Sequence, residues 1–353
     1  RQRTTTIPDG VYEAESYMDD DGVSVGKPVP IRVRVEVRGD ELTVDLTHVS
    51  EQVRGFYNSG KTAGHACAQV AFKCLTSPTD YPINDGAFRN LKVILPPGKV
   101  VSAVRPAAMR WWMTFPMTVV DTVFKAMTPA IPDRVIAGHH ADLVVCMLHG
   151  INPKTKEFFM ANFGPQGGGW GAKRSEDGVS GTVCINDGDT HNSPNEQTEA
   201  KAPVIVESYS LIPDSGGAGE YRGGLGVERV VRARCDSVFN TQVDRVHCVP
   251  WGLEGGGEAK GNGVALELEG QWKDDFANAK VLTAALKAGE AFALRAGGGG
   301  GFGDPHARPA EKVQDDVRQG YVSLSNARAL YGVALDPETL DINEAETGKL
   351  RGG

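Results

Sequence analysis

The run Asp214-Ser-Gly-Gly-Ala-Gly-Glu-Tyr-Arg-Gly-Gly-Leu-Gly226 places six glycines among acidic, hydroxyl, phenol and guanidinium side chains. Glycine loses more backbone freedom on folding than any other residue. So dense a run folds only where positive φ or close backbone approach requires it. Gly164-Pro-Gln-Gly-Gly-Gly-Trp-Gly-Ala172 and Gly297-Gly-Gly-Gly-Gly-Phe-Gly-Asp-Pro305 have the same character. Two readings are open. The runs are tight turns between strands of a large sheet, or aromatic-bearing loops gathered around a site or a subunit interface.

Between the glycine runs, periodicity predicts an α+β fold. The first part, residues 1–200, reads as strand-rich and mixed α/β with one long helix. Ile31–Val37 alternates strictly and turns through Arg38-Gly-Asp40 into Leu42–Leu46, a hairpin. Helices are expected over Thr62–Cys74 and Ala107–Met127, the second carrying Pro116 as a kink or first-turn residue. Trp111, Phe115, Val119, Thr122, Val123 and Ala126 share a face of that helix, which reads as core. Leu91–Leu95 is expected as a strand, and Leu143–Leu148 with Phe158–Phe163 as a second hairpin. Residues 201–353 read as mostly antiparallel strands of a sandwich or barrel: Val204–Leu211, Glu228–Ala233, Ser237–Val243, Val264–Leu268 and Ala291–Arg295. A short helix from Ser323 to Tyr331 closes this part, with Ser323 as N-cap and Gly332 as C′. The Asp-, Glu- and Gly-rich tail is expected to be loose or partner-bound.

Composition narrows the function classes. With 353 residues, 40% hydrophobic and 23% charged, the chain can bury a large core. A net charge of −8 argues against nucleic acid or an anionic membrane as partner. No apolar run reaches the roughly 20 residues that span a bilayer. The six cysteines lie far apart without a CxxC pair, the usage of reduced thiols, and the cytoplasm is the expected compartment.

Four constellations carry possible chemistry. Gly298-x-Gly300-x-x-Gly303 matches a dinucleotide fingerprint in form, but Asp304-Pro305 and Pro309 follow where a helix is needed. The chain also has no Walker A loop. Asn186–Glu199 gathers Asp187, Asp189, His191, Glu196 and Glu199. Carboxylates with an imidazole can bind a divalent cation or move protons. An EF-hand is excluded by Asn192 at its glycine position and Thr198 at its bidentate glutamate; a solvated acidic loop is the other reading. Gly138-His-His-Ala-Asp142 offers one imidazole plus Asp142, since adjacent histidines point apart. Asn58, Asn84 and Arg89 fall in the segments Arg54-Gly-Phe-Tyr-Asn58 and Pro82–Arg89. They either close Asx turns or orient a polar substrate.

The ordered motifs GPQGGGWGA, NSPNEQTE, DSGGAGEYRGGLG, GGGGGFGDP and VSLSNARALYGV resemble the hydantoinase B/oxoprolinase family, from near Ile7 to about Val333. That family supplies the B-type components of N-methylhydantoinases and ATP-dependent lactamases, the C-terminal half of 5-oxoprolinase, and components of acetone and acetophenone carboxylases. The resemblance implies ATP-dependent opening of a hydantoin, 5-oxoproline or lactam ring, with a ketone carboxylase component and a non-catalytic scaffold as alternatives. It implies a hydantoinase A-type ATPase partner carrying Mg-ATP, and a divalent metal, zinc or manganese, held by a preceding N-terminal region. The chain, opening on Arg1-Gln-Arg3, is expected to be the C-terminal major part of such a B-type subunit. Pro194-x-Glu196-x-x-Glu199 belongs to the family pattern. Asp189, His191, Glu196 and Glu199 are therefore the expected catalytic set. Asn58, Asn84, Arg89, Gly168, Gly169 and Trp170 are the expected substrate-binding set, and no metal ligand is assigned within the chain.

Overall fold

In the computed structural model of the chain, residues 2–76, 83–109, 114–185, 188 and 190–352 are described, with residues 114 and 115 as backbone alone. The chain divides into two compact units, Arg1–Val135 and Ile136–Gly353. The change of composition read at residue 200 falls inside the second.

The first unit is a four-stranded sheet with helices on one face. Its strands are β1 (Gly10–Met18), β2 (Val29–Arg38), β3 (Glu41–Asp45) and β4 (Leu91–Ile94), in that spatial order. All pairs are antiparallel except β3 with β4. Alternation in β2 decides which face is buried. Val29, Ile31, Val33, Val35 and Val37 are buried, each worth about 1.5–3 kcal/mol when fully removed from water. Arg32 and Arg34 emerge on the opposite face and pair with Glu15 and Glu13 of β1 at 3.2 and 3.7 Å. The buried face meets α1 (Lys61–Thr76) and α2 (Thr114–Met127). The second helix is shorter than its sequence pattern. Residues 107–109 are not helical and Pro116 sits in its first turn, where a missing N–H costs no intrahelical bond. Val119, Thr122, Val123 and Ala126 are buried as expected; Trp111 and the Phe115 side chain lie outside the described residues.

The second unit is a sandwich of two antiparallel sheets. One contains β5 (Cys146–Ile151) and β6 (Phe158–Phe163), the expected hairpin. Its first strand begins three residues late because Val144 has a φ of 47°, which interrupts extended backbone. After helix α3 (Asn195–Lys201) come β7 (Val204–Leu211), β8 (Val227–Ala233), β9 (Ser237–Gln242), β10 (Gly263–Leu268), β11 (Gln271–Lys273), β12 (Lys280–Leu286) and β13 (Ala291–Ala296). The sheets run β11-β10-β13-β8-β7 and β12-β9-β5-β6. The hairpin thus joins strands read as belonging to a separate, later part. Leu148, Phe163 and Phe239 of one sheet share a core with Val231, Leu266 and Phe292 of the other. The Phe292 ring centroid lies 5.1 Å from that of Phe163 and 4.9 Å from that of Phe239.

Three helices close the chain: α4 (Ala310–Arg318), α5 (Leu324–Tyr331) and α6 (Glu344–Leu350). Ser323 caps α5 by accepting the Asn326 N–H at 3.2 Å, and Gly332 ends it with a φ of 63°. The tail is not loose. Asn343 caps α6 by accepting the Glu346 N–H at 3.1 Å, and buried Thr347 accepts the Ala334 N–H at 3.0 Å.

Candidate functional site

The three glycine runs meet one another inside the second unit. Gly169 donates its N–H to the Gly297 carbonyl at 2.8 Å, Gly299 to Gly224, Gly224 to Trp170, and Gly217 to Gly299, each at 2.9 Å. Two further segments join the bundle, with Gly300 donating to Gly138 at 2.8 Å and Gly301 to Gly257 at 3.0 Å. Buried backbone must pair its polar groups, and here each extended segment pairs with several neighbours instead of one. A methyl group at Gly169 would overlap the Gly224 carbonyl oxygen, at Gly299 the Trp170 carbonyl, and at Gly223 the Gly299 carbonyl. None of these three glycines has positive φ. Close approach, not left-handed backbone, is what requires glycine here.

A sealed polar cluster lies against the bundle. His139, His140, Asp142, Asp244, Arg245 and Asn262 are all buried. The His140 ring packs over Gly168, where an added Cβ would come within 2.8 Å of Nδ1. Asp142 accepts N–H bonds from Val144 at 3.0 Å and Asp244 at 2.5 Å. Asp244 accepts from Arg245 N at 2.7 Å and lies 3.2 Å from Lys280 Nζ. Arg245 donates to the His139 carbonyl at 2.6 Å, and its guanidinium lies 4.7 Å from the Trp251 ring centre. Asn262 donates to the His140 and Asp244 carbonyls at 3.0 and 2.7 Å and accepts from Gly297 at 2.6 Å. Ala141, Val144 and Arg245 have φ values of 43°, 47° and 58°. Such strain in non-glycine residues persists only where surrounding structure enforces it. Burial pushes the Asp142 carboxyl up to about 7, reinforced by the Asp244 charge and opposed by the two N–H bonds and Lys280. The cluster can therefore hold a proton at neutral pH, out of contact with solvent.

A second network joins Arg222 of the Tyr-Arg-Gly-Gly motif to the C-terminal helices. Arg308 bonds Asp177 through both terminal nitrogens and Asp316 through Nε at 3.1 Å, while Arg222 Nε lies 3.3 Å from Asp316. Burial pushes Asp177 upward, but Arg308 and Arg222 together outweigh it and hold the carboxyl below its ordinary value.

Within the second unit the expected site residues fall on two segments, the glycine bundle and the stretch around α3. Gly168 and Gly169 are buried in the bundle, and Trp170 donates from Nε1 to the Val183 carbonyl at 2.8 Å. In the first unit, buried Asn58 accepts from Val53 N and donates to the Val53, Gly55 and Ala108 carbonyls at 2.9–3.0 Å. Its amide is committed to its own turn and to the Ala108 carbonyl. Asn84 accepts from Gly86 N at 2.9 Å, an Asx turn, and Arg89 is exposed. Asp187 and Asp189 lie outside the described residues. His191, Glu196 and Glu199 are exposed. Glu196 stands in the first turn of α3, and Glu199 accepts the Val206 N–H at 2.8 Å. Neighbouring Asn192 bonds the Tyr209 hydroxyl at 2.9 Å and Arg229 at 3.1 Å, which anchors this segment to β7 and β8.

Among the described residues no three His, Cys, Asp or Glu converge as metal ligands. None of the six cysteines is joined in a disulfide, and burial pushes the Cys67 thiol up to about 12. No helix among the described residues is long and apolar enough to cross a membrane. Asp244, Arg245, Asn262 and Lys280 escaped the sequence reading. Only Asn262, flanked by Gly261 and Gly263, carries a local signal of close backbone approach.

Known proteins share this fold. The beta chain of the caprolactamase of Pseudomonas jessenii is 32% identical over 94% of this chain and 58% of its own length. The crystal structure of the ATP-dependent caprolactamase from that organism matches with a TM-score of 0.86 at 28% identity, over 99% of this chain and 61% of that one. The B component of a putative D-/L-hydantoinase from a Pseudomonas species is 28% identical over 99% of this chain and 60% of its own. A nucleotide-free acetone carboxylase structure shares the fold, with a TM-score of 0.88 at 21% identity over 99% of this chain and 53% of that one. The chain thus spans 58–60% of the length of these two curated relatives. Residues 1–305 match the profile described as Hydantoinase B/oxoprolinase, and the chain belongs to that family.

Proposed function

We propose that this chain is the C-terminal major part of a B-type subunit in an ATP-dependent cyclic-amide hydrolase that opens a hydantoin, 5-oxoproline or lactam ring. The observation that carries the reading is the 32% identity to the caprolactamase beta chain over 94% of the present chain. An unstrained amide is a poor electrophile, because nitrogen lone-pair donation stabilises the carbonyl. ATP on a hydantoinase A-type partner activates the amide oxygen, and the B-type component supplies the enclosed site for attack by water. A zinc or manganese ion held by a preceding N-terminal region would lower the pKa of that water. Within this chain, Asp189, His191 and Glu196 are assigned polar or proton-transfer roles. Glu199 positions the segment through its bond to Val206 N. The glycine bundle and Trp170 shape the wall of the substrate site. Six cysteines without a disulfide support a cytoplasmic setting.

The acetone carboxylase fold match favours a second reading, in which bicarbonate is activated and joined to a ketone. The assembled complex, incubated with ATP and a panel of hydantoins, lactams and ketones with and without bicarbonate, separates the two. Ring opening coupled to ADP release and independent of bicarbonate is expected. Turnover that requires bicarbonate and a ketone would overturn the hydrolase reading.

A further inference from the structure

Residues 322–331, to which the proposed reaction gives no role, line a cavity of about 240 Å³ in the second unit. The rest of its lining comes from residues 214–218 and 258–260. These two runs lie side by side, with Lys260 donating its N–H to the Ser215 carbonyl at 2.9 Å and Gly257 to Ala218 at 2.7 Å. Asp214 ties the first run to the head of α5. Its carboxylate accepts the Ser323 N–H at 2.8 Å, and its backbone is left-handed with a φ of 57°. Neither Trp170 nor Glu196 lines the cavity.

The polar groups of this lining are open. Gly216 and Ala218 donate no backbone N–H to any of the described residues, although Ala218 is only 7% exposed. Native structures seldom leave buried N–H groups in that state. The Glu258 carboxylate, the Lys260 ammonium and the Asn326 side-chain amide likewise have no partner among the described residues. Neighbouring charges are engaged elsewhere. Arg328 of α5 lies 2.8 Å from Glu346, Arg222 faces Asp316, and Glu220 packs beside Gly303. Ala259, Val322, Leu330 and Tyr331 complete the lining with apolar surface. A cationic ligand alone would leave Lys260 and the two N–H groups without an acceptor. An anionic ligand alone would face the carboxylates of Asp214 and Glu258. A molecule that carries both charges on a short apolar stem answers every group.

We propose that this cavity binds a small free amino acid. Its ammonium group lies toward Asp214 and Glu258, and its carboxylate toward Lys260 and the Gly216 and Ala218 N–H groups, which make charge-assisted bonds to it. Its stem lies against Val322 and Leu330. Opening a lactam ring releases a molecule of this class. The cavity is then a product-binding site, a step that rests on the hydrolase reading, whereas the binding itself does not.

The test titrates the 353-residue chain with glycine, β-alanine, γ-aminobutyrate and ε-aminocaproate, and with butyrate and butylamine as single-charge controls. At least one amino acid should saturate the chain at millimolar concentration. It should bind at least about tenfold more tightly than either control, the effect of one hydrogen bond to a charged group. Glu258→Gln should weaken the amino acid and butylamine but not butyrate. Lys260→Gln should weaken the amino acid and butyrate but not butylamine. Both positions are exposed, so folding is unaffected. Leu330→Trp, at a position 45% exposed, fills the cavity and should abolish binding at an unchanged melting temperature. No saturation by any of the four amino acids, a control that binds equally well, or full binding by folded Leu330→Trp would overturn the proposal. Binding is read without ATP or turnover, so its failure leaves the hydrolase reading standing, and failure of ring opening in the assembly leaves the amino-acid site standing.

Discussion

Arg308 holds Asp177 through both of its terminal nitrogens, at 2.7 and 2.8 Å, with the guanidinium 2% exposed. Asp316 lies on the other side of the same guanidinium and also faces Arg222. Two arginines and two aspartates thereby balance charge where the glycine bundle meets the C-terminal helices.

Removing one carboxylate should be costly. Asp316→Asn leaves two buried guanidinium groups facing one acid, and a loss of about 3–5 kcal/mol is expected, measured by urea denaturation of the chain. Asp177 adds an acid limb. Its folded pKa is depressed, so its stabilisation is present above the unfolded value of about 3.9 and is lost as pH falls through the folded value. Asp177→Asn should flatten that limb of the pH–stability curve.

Asp142 acts in the opposite sense. Its folded pKa of about 7 lies above the ordinary carboxyl value, so the folded state binds the extra proton. Stability from this group is present at low pH and is lost as pH rises from the unfolded value through about 7. The slope is at most about 1.4 kcal/mol per pH unit. Asp142→Asn should therefore look most damaging at pH 5 and progressively less so toward pH 8. Thermal melts of both proteins across that range provide the check, and a difference constant with pH would refute the raised value.

Glycines divide into two kinds. Gly299→Ala should destabilise by about 1–3 kcal/mol or prevent folding, because its methyl would overlap the Trp170 carbonyl. Gly348, on α6 with open space around it, should gain about 0.4–1 kcal/mol on replacement by alanine. Opposite signs for the two alanines in calorimetry are expected.

Glu196 and Glu199 can be separated by the same change. Glu199→Gln keeps an acceptor for Val206 N and should leave both rate and melting temperature nearly intact. Glu196→Gln removes an exposed charge with no change in shape. The assembled enzyme should slow at least about a hundredfold, the low end of general acid–base contributions, at unchanged stability. Equal rates for the two variants in ADP-release assays would remove Glu196 from the chemistry.

Local grammar was readable where one short segment decides the outcome. Strict alternation fixed the face of β2, and Ser323 with Gly332 marked both ends of α5. β1 was missed because Glu13 and Glu15 alternate with Ala14 and Ser16, small residues that give a weak apolar period. The α6 cap at Asn343 was hidden by the acidic composition around it. The glycine runs announced close approach or positive φ, but the choice between them depends on partners far along the chain. The sealed cluster was invisible for the same reason: Asp142, Asp244 and Asn262 are brought together only by the sandwich.

The glycine bundle sets a limit on how this protein can be divided. Gly300 needs Gly138, Gly299 needs Gly217 and Gly224, and Gly301 needs Gly257. Each segment is bonded by others distant in sequence, so none holds its shape alone and the loop-closure entropy is recovered only when all are in place. A break or a rearranged gene order anywhere between residues 138 and 303 leaves glycines that revert to the most disordered chain a protein can make. The second unit is therefore a single indivisible module for recombination, and viable junctions belong outside that interval.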